Sequence, residues 1–165
     1  MSLRKCIPWP DRVLRTPAKE VSAITPEVEA VWQDMIDTME AMPGYGMGAP
    51  QIGVSLRLAV VDCSTERGQV VRMANPEVLH ASVKLREHEE ASPNLVGVSA
   101  KIERPRAVTV RFLNAAGEIE ERDFVGLWAT SVQHQIDHLN GKMYFDHLKP
   151  VKRQMLIKKA QKRIN

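Results

Sequence analysis

The sequence predicts an α+β fold in a single domain. Strand-like segments crowd the middle of the chain and helical patterns sit towards its ends, a segregation unlike the βαβ alternation of parallel α/β folds. The chain has 165 residues, enough for one real hydrophobic core, with 44% hydrophobic and 26% charged residues. No internal repeat and no low-complexity linker interrupts residues 1–165, so one domain accounts for the whole length.

Residues 1–25 read as extended and punctuated by proline. Thr25-Pro26 then opens a helix, with threonine at the N-cap and proline at the first helical position. Val28, Val31, Trp32, Met35, Met39 and Met42 follow at three- and four-residue spacing, a core-facing stripe that Pro43-Gly44 ends. A glycine-rich loop, Gly44 to Gln51, leads into a strand over Leu56–Asp62. Further strands are predicted over Val70–Ala74, Val78–Leu85, Ala107–Leu113 and Ile119–Phe124, the last two joined by a hairpin at Asn114-Ala115-Ala116-Gly117. A helix runs from Gly126 to Leu139 and ends at Asn140-Gly141, and Lys149-Pro150 begins a final helix to the C-terminus.

Several function classes drop out on composition. No apolar run approaches the ~20 residues of a membrane span, and Pro8, Pro10, Asp11 and Arg12 break any signal-peptide core at the N-terminus. Neither a membrane nor DNA is an expected partner. Two cysteines, Cys6 and Cys63, make no disulfide framework, which points to a reducing cytoplasm. The formal charge is +3, unevenly placed: the segment from Lys149 carries seven basic and no acidic residues, leaving 16 basic against 20 acidic elsewhere. A basic terminal helix suits a polyanionic partner, or simply a solvated face. The glycine loop is not a dinucleotide fingerprint, because it follows a helix and opens a strand. Its glycines instead let backbone approach a ligand or a neighbouring strand.

The chemistry concentrates in His134-Gln135-Ile136-Asp137-His138. Two histidines four residues apart on a helix share one face, so both imidazoles can reach one metal ion. In metallohydrolases with this spacing the residue after the first histidine is a glutamate acting as general base. Here it is Gln135, whose amide cannot take a proton at neutral pH.

Three segments taken together are far more specific. In order, Gly44-Tyr45-Gly46-Met47-Gly48-Ala49-Pro50-Gln51, Glu89-Glu90-Ala91-Ser92-Pro93-Asn94 and Gln133-His134-Gln135-Ile136-Asp137-His138-Leu139 resemble the three motifs of peptide deformylase. The likeness spans nearly the whole chain and includes Pro10-Asp11-Arg12-Val13-Leu14-Arg15 and Asn75-Pro76-Glu77. It implies antiparallel strands around a central metal-site helix, with N-terminal and C-terminal helices. It also implies hydrolysis of the formyl group from N-terminal methionine of nascent peptides by a divalent metal, iron or zinc.

The family motifs are Gly-x-Gly-x-Ala-Ala-x-Gln, Glu-Gly-Cys-Leu-Ser and Gln-His-Glu-x-Asp-His. By resemblance, the metal ligands fall on His134, His138 and the cysteine position, here Ser92. The base falls on Gln135. Gln51 polarises the formyl oxygen together with the backbone N–H after the metal cysteine, a position held here by Pro93, which has no N–H. Gly48 replaces an alanine and Ala91 a glycine. Glu89, Glu90, His88 and Cys63 are candidate replacements for the missing thiolate, and Glu90 is expected to pair with Arg104. Gly46, Leu95, Gly97 and Trp128 are expected to bind substrate, with Val96, Leu127 and Ser131 beside them. His80, His88 and His147 receive no catalytic role. The implied partners are formylated or free N-terminal methionyl peptides and, through the basic terminal helix, the ribosome. Activity is expected to be weak or absent, with non-catalytic binding of methionyl peptides or of the ribosome as the alternative function.

Overall fold

Thr25 caps the first helix as the sequence predicts: its side chain accepts from the Val28 N–H, and helix α1 runs Pro26–Ala41. The computed structural model describes residues 3–164, the last two as backbone only. The N-terminal segment is not wholly extended. Asp11 caps a short 3₁₀ turn at Arg12–Arg15 by accepting from Val13 N–H, and that turn buries Leu14.

Among the described residues seven strands follow: β1 Gly46–Gly48, β2 Leu58–Val61, β3 Val71–Ala81, β4 Leu85–Ser92, β5 Leu95–Pro105, β6 Ala107–Leu113 and β7 Ile119–Val125. They form a five-stranded antiparallel sheet in the order β1-β2-β3-β6-β7 and a separate β4-β5 hairpin. Helix α2 spans Leu127–Leu139 and α3 spans Pro150–Ile164. No helix among the described residues is long and apolar enough to cross a membrane.

Two corrections to the predicted strands have local causes. The segments at Val70 and Val78 are one strand, with register shifts between Ala74 and Glu77 and between Val78 and His80. Pro76 cannot donate to the ladder, and Asn75 takes a positive φ of 50° while its side chain bonds both N–H and C=O of Val21. Of the β4-β5 hairpin only Leu85 and the edge at Leu95–Gly97 are predicted, because the alternating residues elsewhere are largely charged, with Arg86, Glu87, Glu89, Lys101, Glu103 and Arg104 among them. A two-residue turn at Pro93-Asn94 joins them, with Ser92 facing Leu95.

Strand β2 is buried on both faces. Leu58 and Val60 pack with Trp32, Met35 and Met39 of α1, whereas Ala59 and Val61 pack with Val132 and Leu139 of α2. A third cluster joins Leu95, Val98 and Ile102 of β5 to Met143, Tyr144, Phe145 and Ala160. Helix α2 therefore lies between the large sheet and the hairpin. Its end is fixed by Gly141, at φ +77°, where an added Cβ would sit 2.9 Å from the Arg15 carbonyl carbon.

Candidate active site

The helix face that meets the hairpin carries His134 and His138. Their Nε2 atoms lie 3.1 Å apart, and both side chains are buried. His134 Nδ1 contacts Glu90 Oε1 at 2.8 Å, which assigns the Nδ1 proton to that bond and leaves Nε2 pointing at its partner. Glu90 is clasped by Arg104 through two bonds of 2.7 and 2.9 Å. Arg104 continues to Asp137 at 2.8 Å, and Asp137 to His147 at 2.7 Å. Burial opposes the charge on Glu90, but its bonds to His134 and Arg104 outweigh that and hold the carboxyl below its ordinary value. Asp137 is likewise buried, yet the bonds from His147 and Arg104 hold it low. Complete burial, reinforced by His134, pushes His138 well below its usual value and keeps it neutral. His138 Nδ1 has no hydrogen-bond partner among the described residues.

On the opposite wall, the Pro93-Asn94 turn and Gln51 form a closed set of hydrogen bonds. Gln51 Oε1 accepts from the Gly48 N–H at 2.9 Å, and its Nε2 donates to Asn94 Oδ1 at 2.7 Å and towards Ser92 Oγ at 3.5 Å. The Ser92 hydroxyl donates to Asn94 Oδ1 at 3.0 Å and accepts from the Asn94 N–H at 3.3 Å. Asn94 Nδ2 donates to the carbonyls of Ile7 at 2.6 Å and Gln51 at 3.0 Å.

Between these walls lies a cavity of about 430 Å³, open to solvent. Gly46, Gln51, Ser92, Gly97, His134 and Gln135 all line it. A Cβ on Gly46 would come within 2.7 Å of Gln135 Nε2 and of Ser131 Oγ, so only glycine lets β1 pass this close to the helix. Gln135 is buried and its Oε1 has no hydrogen-bond partner among the described residues.

A sequence model of polypeptide deformylase matches residues 3–154. The chain belongs to the polypeptide deformylase family. It is 40% identical to a peptide deformylase of Afipia carboxidovorans over 98% of this chain and 96% of the relative. Among solved structures, a peptide deformylase from Legionella pneumophila superposes with a TM-score of 0.91 at 38% identity, covering 98% of this chain and 95% of that one. A Met-Ala-Ser-bound peptide deformylase from Acinetobacter baumannii superposes at 0.84 with 28% identity, covering 90% and 100%.

Within the family frame, the two walls differ from the sequence expectations at specific places. Val96, Leu127 and Ser131 line the cavity, but Trp128 does not: it stacks on Phe124, ring centroids 6.4 Å apart, beside a separate groove that includes Gln69 and Val71. The adjacent helical position points elsewhere, and only Leu127 of the pair faces the cleft. Leu95 is buried against the Tyr144 cluster, so Val96 and Gly97 form the accessible part of β5 there. Two residues with no assigned role belong to the site's support. His147 closes the Asp137 end of the ion-pair chain, and Asn94 ties Gln51 to Ser92. Asn94 stands where the family motif ends in serine, and that departure was its available signal.

The donor set does not fit the metal centre the resemblance implies. Two imidazole nitrogens converge, but the third position offers a neutral hydroxyl already bonded to Asn94. Glu90 is committed to His134 and Arg104. Cys63 contacts the carbonyls of Tyr45 and Leu127, and burial pushes its thiol up to about 11. Among the described residues no group of three or more His, Cys, Asp or Glu side chains is arranged to hold a metal ion.

Proposed function

We propose that this member of the deformylase family keeps the peptide cleft, binds N-terminal methionyl peptides, and has little or no deformylase activity. The observation that carries the reading is the hydrogen-bonded Ser92-Asn94-Gln51 wall, which stands where the family places a metal thiolate and the formyl-oxygen donors. A serine hydroxyl holds its proton near pH 7 and is a poor substitute for thiolate at iron or zinc. Gln135 can orient a water but cannot deprotonate it, and general-base catalysis typically contributes about 10²–10⁴-fold. Loss of one oxyanion donor, as at Pro93, costs about 10²–10³-fold in other hydrolases. These effects need not multiply, because they act within one unit.

The peptide-binding half rests on the cleft itself. Gly97, Val96, Leu127 and Ser131 line it, and among the described residues β5 pairs only with β4. An extended peptide can lie along such an edge, as in β-augmentation. The Acinetobacter relative, solved with Met-Ala-Ser, supports this ligand class. The test is turnover of formyl-Met-Ala-Ser with added Fe²⁺, Ni²⁺ or Zn²⁺, beside calorimetric titration of methionyl peptides. Binding without turnover is the expected result. Turnover matching a relative with intact cysteine and glutamate overturns the reading.

The basic terminal helix supports a ribosomal partner. Lys152, Lys158, Lys159 and Lys162 are exposed on α3, while Ala160 is buried and Leu156 and Ile157 pack into the Tyr144 cluster. The Arg163 side chain lies outside the described residues. Since removing residues 150–165 would strip part of that core, the cleaner test reverses the four exposed lysines to glutamate. Ribosome co-sedimentation at low salt is expected to fall in this variant and to weaken with salt in the wild type. Equal co-sedimentation rules the helix out.

A further inference from the structure

We propose that Gln135 is a binding residue whose Nε2 donates to the carbonyl oxygen of an N-formyl terminus. The cleft then holds formylated peptides from its helix side, and more tightly than free ones. This rests on the peptide-binding reading above and deepens it by naming the contact and the terminal group it selects.

By resemblance to the family, a formyl oxygen is met from the turn side. In this chain that side is bonded to itself. Gln51 Nε2 donates to Asn94 Oδ1 and towards Ser92 Oγ. The Ser92 hydroxyl donates to Asn94 Oδ1, and the Asn94 N–H to Ser92 Oγ. Asn94 Nδ2 donates to the carbonyls of Ile7 and Gln51, and Gln51 Oε1 accepts from the Gly48 N–H. Pro93 has no N–H. Seating a ligand oxygen there means breaking one of these bonds.

The helix side keeps a donor free. Gln135 is buried and lines the cavity. Its Oε1 is enclosed, with no hydrogen-bond partner among the described residues. Its Nε2 is likewise unpartnered but is not enclosed. A Cβ on Gly46 would come within 2.7 Å of that nitrogen, so glycine there leaves the amide uncovered. An unpaired N–H in a cleft lined by Met42, Pro43, Val96, Val98 and Leu127 is satisfied when a ligand oxygen reaches it. A formyl oxygen is such an acceptor and brings no charge. An α-ammonium has donors only. The two carboxylates lining the cavity do not favour it: Glu90 is already matched by Arg104 and His134, and Glu89 is exposed, where water and salt screen it. An ionised glutamate at position 135 would accept only, so glutamine exchanges a base for a donor.

Calorimetric titration of formyl-Met-Ala-Ser and Met-Ala-Ser into the wild-type protein, without added metal, tests this. The formyl peptide is expected to bind about fivefold tighter or more, the range of one hydrogen bond. Equal binding overturns the proposal and leaves the peptide cleft standing. So does tighter binding of the free peptide, which would mean that the amide turns its oxygen to the cleft. Binding of neither peptide overturns the cleft reading as well. Gln135→Met removes an amide whose oxygen is already unpaired, so the variant should fold. It should weaken the formyl peptide about fivefold and spare Met-Ala-Ser. Gln135→Glu, close in shape, should weaken the formyl peptide as well, without weakening Met-Ala-Ser. Formyl-peptide binding unchanged in both variants, or lost equally with that of the free peptide, overturns the assignment of Gln135 as the donor.

Discussion

The two walls of the cleft have been treated differently. On the helix side, the chain His134–Glu90–Arg104–Asp137–His147 is a continuous run of charge-assisted contacts between 2.7 and 2.9 Å. On the turn side, Ser92, Pro93 and Asn94 replace the family's Cys-Leu-Ser and bond to one another and to Gln51. The first wall fixes the orientation of an imidazole and holds a helix to a hairpin. The second, in the family, meets the reacting group. The contrast separates orientation from reaction: buried ion pairs tolerate few half-changes, whereas a turn can be rewired as a self-satisfied unit.

The largest effect is therefore expected on the helix side. Arg104→Met leaves Glu90 and Asp137 without their cation, and Glu90 is only 4% exposed. Breaking a buried pair by removing one partner typically costs about 3–5 kcal/mol. Urea unfolding should show a loss of this size with little change in slope. A loss under about 1 kcal/mol, the level of a surface pair, would mean the chain of contacts is dispensable.

Next comes repair of the turn side. Ser92→Cys with Gln135→Glu restores the anionic ligand and the base, and metal analysis should then find bound metal after incubation with Fe²⁺, Ni²⁺ or Zn²⁺. Turnover of formyl-Met-Ala-Ser should remain low, because Pro93 and Asn94 still deny the formyl oxygen its donors. Adding Pro93→Leu and Asn94→Ser should raise it by about 10²–10³-fold, the usual contribution of one oxyanion donor. Full activity in the double variant would show that the turn is not limiting.

The same contrast explains what could be read from sequence. Helix α2 and its histidines were legible because 3.6-residue spacing and an Asn-Gly stop are local signals. The α1 cap and the β6-β7 hairpin were legible for the same reason. Most of the β4-β5 hairpin was not, since its charged alternation looks like a solvated segment until Arg104 is seen clasping Glu90 and bonding Asp137. Motif comparison exposed Ser92, Pro93 and Gln135 as single departures. Asn94 also departs from the motif, where the family has serine, but the departure does not show its role, which lies in partners 43 and 87 positions away. Trp128 misled because an aromatic beside a site motif invites a binding role, although its ring faces Phe124.

A smaller effect is expected from Asn94→Ser alone. The asparagine anchors the turn to the N-terminal segment through the Ile7 carbonyl at 2.6 Å, and serine cannot span that gap while also meeting Gln51. The loss should be about 1–3 kcal/mol, set by carbonyls left unpaired, with water entering the open cleft to offset part of it. A neutral or stabilising result would show that the closed wall strains the turn.

The smallest effect, none, is expected for Cys63→Ser on metal retention in the Ser92→Cys, Gln135→Glu background. Cys63 is the natural cysteine beside α2, and as a thiolate it would compete for the ion. Its contacts are the Tyr45 and Leu127 carbonyls, at the start of the helix and two turns from His134. Its thiol, raised to about 11 by burial, stays protonated at pH 8, and the metal-binding form of cysteine is the thiolate. Metal content measured after dialysis against a weak chelator should be identical with and without Cys63. A drop on removing Cys63 would mean that the helix start moves towards the histidines when metal binds, and that the two walls are less independent than their hydrogen bonds suggest.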